Sequence, residues 1–111
     1  MSVTLSIGNP INNDEKFYHL AVSTESGFHS VIEPIAEKYG LTLIDWGIFS
    51  EVTKINIILF LAEINTIREA ILILSNESVQ TKNHYFGRLG ELASEAERLI
   101  KERPDIRLLI G

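Results

Sequence analysis

Apolar and hydroxyl-bearing residues alternate from Val3 to Ile7, the period of two expected of a strand with one buried face. Gly8-Asn9-Pro10 closes that strand, and Asn12-Asn13-Asp14 continues as turn chemistry, because these side chains bond their own backbone. Phe17 to Val22 predicts a second strand. Val31, Ile32, Ile35, Ala36 and Tyr39 then share one helical face, which predicts a helix over Val31–Tyr39. Ser30 followed three residues later by Glu33 fits a capping box at its start, with Pro34 in the first turn. Gly40 stands where a left-handed C-terminal cap is wanted. Glu33 and Glu37 lie one turn apart on the opposite, outward side of this helix.

Leu41–Trp46 and Ile55–Ala62 are rich in β-branched and aromatic residues, with the turn-prone stretch Gly47–Lys54 between them, and predict an antiparallel hairpin. Ile57 to Ala62 is apolar on both faces, which suits a central strand, although periodicity alone does not separate that from a buried helix. Thr66 with Glu69 forms a second capping box ahead of a helix over Ile67–Leu74. Phe86, Leu89, Ala93, Ala96 and Ile100 recur every three or four residues and predict a long helix over His84–Arg103, ended by Pro104. Gly87 and Gly90 fall in its first turns, where they fray the helix or let it approach the sheet closely. Ile106–Ile110 predicts a last strand. The class expected is α+β, a four- to five-stranded mixed sheet with about three helices packed against it.

Composition sets the scale and the stabilising forces. The chain has 111 residues, 45% of them hydrophobic and 23% charged, which suits one packed domain spanning residues 1–111. It contains no cysteine, so neither disulfides nor thiolate metal sites enter. The start, Met1-Ser2-Val3-Thr4-Leu5, lacks the basic and long apolar stretches of a secretory signal, and a cytoplasmic location is expected. Ile55–Leu74 is nearly long enough to span a bilayer. Glu63, Asn65, Arg68 and Glu69 fall inside it, each charge costing about 2.5 kcal/mol or more at a bilayer centre. Two core elements joined by a polar turn, and no membrane association, are expected there.

Net charge is −5 and unevenly spread. Met1 to Gln80 holds ten acidic residues and four basic ones, whereas the remainder holds five acidic and six basic. The negative field of the first two thirds repels nucleic acid and favours encounter with a basic partner. The same acidity also serves solubility alone.

Chemistry-bearing spacings are missing. His19, His29 and His84 show neither the four-residue interval of a helical zinc site nor a carboxylate in a metal motif, so no metal or cofactor is expected. The glycines make no phosphate-binding loop, and Gly87-Arg88-Leu89-Gly90 reads as close packing more readily than as an anion site. No serine stands in a nucleophile motif, and pairs such as Asp14 with Glu15 are what any acidic chain offers. Neither a catalytic set nor an enzyme is expected.

The remaining expectation is a binding surface. Glu33, Glu37, Asp45 and Glu51 flank aromatic residues in the middle of the chain, and Trp46 fits either the core or a contact surface. In size, acidity, lack of cysteine and layout the chain resembles the immunity proteins of bacterial toxin–immunity pairs, including those of contact-dependent growth inhibition. That resemblance implies a cytoplasmic inhibitor that covers the active site of a cognate toxin domain, such as a nuclease with a basic cleft. Glu33, Glu37, Asp45, Trp46 and Glu51 are then the partner-binding candidates. The alternatives are a small ligand-binding or regulatory domain, a small enzyme with an unrecognised site, and a structural homodimer joined through strand edges.

Overall fold

The computed structural model describes residues 2–41, 50–74 and 77–111. Strand β1 (Ser2–Ile7) is followed by a short helix α1 (Asn13–Lys16), strand β2 (His19–Thr24) and a helical stretch made of α2 (Glu25–Gly27), a π-helical turn (Phe28–Ile32) and α3 (Glu33–Tyr39). Strand β3 (Ser50–Val52) leads into the long helix α4 (Ile57–Leu74), then α5 (Val79–Glu102) and strand β4 (Leu108–Ile110). The α+β class expected from the pattern holds.

The alternation of Val3, Leu5 and Ile7 does what the period of two predicts. These three side chains are buried while Thr4 and Ser6 between them are half-exposed. The sheet order is β2-β1-β4-β3. Leu5 pairs with Leu20 on one side and Ile110 on the other, and Val52 pairs with Leu108. All three pairings are antiparallel, so the sheet of the described residues is not the mixed one expected. The cause lies in the connection: α4 and α5 pack along each other as a hairpin, returning the chain to the end of the sheet where β3 left it. β4 must then run back against β3.

The central correction concerns α4. From Ile57 on, the expected strand over Ile55–Ala62, its turn and the expected helix over Ile67–Leu74 are one uninterrupted helix. Phe60, Ile64, Ile67 and Ile71 recur at helical spacing and are fully buried, each worth about 1.5–3 kcal/mol of transfer free energy. Thr66 does not cap a helix; its hydroxyl donates to the Ala62 carbonyl one turn back (3.0 Å). The turn that starts α4 is Thr53–Asn56, where Asn56 Oδ1 accepts from the Thr53 amide (2.8 Å) and its Nδ2 donates to the Glu51 carbonyl (2.9 Å). The partner strand expected over Leu41–Trp46 lies, except for Leu41, outside the described residues. Among the described residues, no helix is long and apolar enough to cross a membrane.

Other boundaries moved for identifiable reasons. β2 begins at His19, because Phe17 closes α1 and stands exposed. The helical stretch before Gly40 begins at Thr24, whose hydroxyl accepts from the Gly27 amide (3.0 Å), so Ser30 lies inside the π-helical turn and caps nothing. Gly40 does adopt the left-handed conformation expected (φ 65°, ψ 33°). α5 starts five residues earlier than predicted, at a cap formed by Ser78, whose Oγ accepts from the Thr81 amide (3.2 Å). Its buried stripe of Leu89, Leu92, Ala96, Leu99 and Ile100 covers the sheet together with Ile32, Ile35 and α4.

Candidate functional site

Glu33 and Glu37 belong to α3, whose opposite side, Ile35 and Ala36, is held in the core. That anchoring turns both carboxylates outward. Glu33 is half-exposed and meets His29 Nδ1 one turn earlier at 2.9 Å, an exposed pair worth at most about 0.5 kcal/mol. Glu37 is exposed and makes no ion pair among the described residues.

Glu51 stands elsewhere, on β3, and its charge is already matched. Arg107, next to β4, donates to it from Nε (2.9 Å) and Nη2 (3.2 Å) in a forked contact. The hydrogen bonds from Arg107 hold the Glu51 carboxyl below its ordinary value of 4.5. A partner's cation would therefore have to displace Arg107. Asp45 and Trp46 lie outside the described residues. Of the five positions expected from sequence, the structure brings Glu33 and Glu37 together on one helix face and commits Glu51 within the chain.

On α5 each acid meets a basic neighbour, Glu95 and Glu102 sharing Arg98. Arg98 pairs with Glu95 (2.8 Å) and Glu102 (3.1 Å), Lys101 with Glu97 (3.2 Å), and Arg88 with Glu91 (3.5 Å). These pairs follow the three- and four-residue spacing of helix neighbours.

A second feature escaped the sequence reading. A cleft of about 520 Å³ opens between β2, α4 and α5, lined among others by Leu20, Arg68, Gly90, Ser94, Glu95 and Arg98. Arg68 reaches from α4 to α5, where its Nε donates to the Phe86 carbonyl (2.9 Å) and its guanidinium lies over the Phe86 ring, 3.9 Å from the centroid. Gly90 permits this, since a Cβ there would come within 2.7 Å of Arg68 Nη2. Of the two glycines in α5 only Gly90 marks a close approach, and its neighbour is a guanidinium rather than the sheet, whereas a Cβ at Gly87 would meet nothing within 4 Å. Both glycines also sit well inside the helix, not in its first turn. Tyr18 interacts with Glu95 and Arg98 of the lining, its pKa raised above 10.0 by burial and then by the Glu95 carboxylate, with Arg98 opposing. No spacing rule links Arg68 to Gly90 or Tyr18 to Glu95, because each contact joins elements distant in sequence. Two guanidiniums accompany two carboxylates, Glu91 and Glu95, so the lining of the cleft is balanced in charge.

The histidines are spread apart. His29 belongs to the Glu33 pair, His19 Nδ1 lies 3.3 Å from the Phe17 carbonyl, and His84 packs edge-on to Tyr85. Among the described residues no three His, Asp or Glu side chains converge as metal ligands would. Compared with protein families, curated proteins and solved structures, the chain matches none.

Proposed function

We propose that this protein acts by binding another protein, as an immunity protein does, and that the outward face of α3 carries the recognition. The supporting observation is Glu37, an exposed carboxylate one turn from Glu33 on a helix anchored in the core, without a cation from the described chain. The acids of α5 are paired with their own neighbours, and Glu51 is held by Arg107. On α3 Glu37 is left without a cation among the described residues, and its negative potential favours a partner bearing Lys and Arg. A toxin domain with a basic, phosphate-binding cleft is such a partner, and inhibition then consists of covering that cleft in the cytoplasm, with no bond made or broken.

The reading is tested with the product of the neighbouring open reading frame. Mixed with this protein, it is expected to co-elute as a complex with nanomolar affinity that weakens as salt rises. A neighbour that resembles no toxin, or forms no complex, overturns it.

The cleft favours one other reading, a small-ligand site, because Arg68 is pinned in place and Tyr18, a partner of the lining residues Glu95 and Arg98, is perturbed. A metabolite that raises the melting temperature of the native protein but not of an Arg68→Ala variant supports that reading. A flat screen removes it.

A further inference from the structure

Arg68, Glu91, Glu95 and Arg98 are the charged residues of the cleft lining among the described residues, and they are not equally committed. Arg98 and Glu95 hold each other, with Glu102 as a further partner of the guanidinium. Arg68 makes no ion pair among the described residues. Its Nε donates to the Phe86 carbonyl and its guanidinium lies over the Phe86 ring, which fixes the group while Nη1 and Nη2 keep no acceptor among those residues. Glu91 has Arg88 at 3.5 Å, both side chains being exposed, and such a pair contributes little. Arg68 and Glu91 therefore line one cleft without pairing with each other. They also belong to adjoining parts of it, since Arg68 Nη2 lies against Gly90 and Glu91 is the next residue.

Gly87 points to the same place. The close approach of Arg68 accounts for glycine at 90, whereas a Cβ at Gly87 would meet nothing within 4 Å. Packing does not ask for glycine there, and glycine weakens a helix interior. Gly87 lines the cleft, where the missing side chain leaves room. Leu20 supplies apolar surface, and the volume of about 520 Å³ falls within the range of small-ligand sites.

We propose that the cleft binds a free α-amino acid with an aliphatic side chain. Its carboxylate meets Nη1 and Nη2 of Arg68 in a forked contact, its ammonium group meets Glu91, and its side chain lies against Leu20 over Gly87. A simple anion would gain Arg68 and be opposed by Glu91, and a simple cation would meet the reverse, so the lining selects a molecule carrying both charges. The inference rests on the cleft being a small-ligand site and is independent of the α3 face.

Titration of the native protein by NMR tests it with three probes: L-leucine, isocaproate, which lacks the amine, and isoamylamine, which lacks the carboxyl group. L-Leucine should bind with a Kd on the order of 0.1 mM and shift the amide resonances of Gly87, Gly90 and Glu91. Each of the other two should bind about tenfold more weakly. Arg68→Gln should weaken L-leucine and isocaproate about tenfold and leave isoamylamine unchanged, a split that a merely structural role would not produce. Gly87→Leu, whose Cβ meets no neighbour, should abolish binding with unchanged helical circular dichroism. Isocaproate bound as tightly as L-leucine overturns the proposal and leaves the cleft a ligand site. L-Leucine bound equally well by Gly87→Leu, or not at all at millimolar concentration, also overturns it, and the metabolite screen then decides the wider reading of the cleft separately.

Discussion

Arg103, at the end of α5, holds Glu15 of α1 in a forked ion pair, with Nη2 at 2.7 Å from Oε1 and Nε at 3.2 Å from Oε2. The two side chains are only 13% and 18% exposed. The same guanidinium donates to the Asn9 carbonyl (2.7 Å), so one side chain fastens the loop after β1, α1 and the turn into β4. Removing it leaves a carboxylate and a carbonyl poorly solvated. Arg103→Ala should lower stability by about 2–4 kcal/mol, and a double-mutant cycle with Glu15→Ala should show coupling of about 1 kcal/mol or more. Additive losses in denaturant unfolding would show that the pair contributes little.

The two glycines of α5 should respond oppositely to alanine. At Gly87 a Cβ meets no atom within 4 Å, so Gly87→Ala should stabilise by about 0.5–1 kcal/mol through helix propensity. At Gly90 the same methyl group collides with Arg68, which must leave its seat on Phe86. Gly90→Ala should gain nothing or lose stability, and thermal unfolding of the two variants separates the cases.

On the acid side, Glu51 should titrate below the ordinary carboxylate value. Its folded pKa is lowered, so its contribution is present above about pH 4.5 and is lost as pH falls through the folded value. Carboxyl carbon NMR of Glu51 should show the depressed titration in the native protein, and in Arg107→Ala a return toward the ordinary value.

At the alkaline end the sign reverses. Tyr18 is raised above 10.0 by burial and by Glu95, so the fold favours the neutral phenol, and this contribution fades as pH rises through the folded value. Phenolate absorbance should show one tyrosine ionising late, and Glu95→Gln should bring it earlier.

How much of this was legible in the chain follows from where each signal resides. Val3–Ile7 and the α5 stripe carry their period in consecutive residues, and Gly40 carries its conformation in its lack of a side chain. Those features could be read directly. α4 could not, since a run such as Ile57–Ala62 is apolar at every position and has the same appearance in a strand or a helix. The exposed apolar residues at its two ends remove the contrast that defines a helical period. The acidic residues were visible, but their compensation was not: Glu51 meets Arg107 across 56 positions, a pairing fixed by strand register. Sequence therefore pointed to acidity, and the structure shows Glu51 committed to Arg107 while Glu37 is exposed without an ion pair among the described residues.

Isothermal titration of the neighbouring gene's product against Glu33→Lys/Glu37→Lys, with Glu97→Lys as the control on α5, bears most directly on recognition by α3. The double variant should bind about a hundredfold more weakly, chiefly through faster dissociation, while the control stays within a few-fold of the native protein. Equal affinities for all three proteins would contradict recognition through this face.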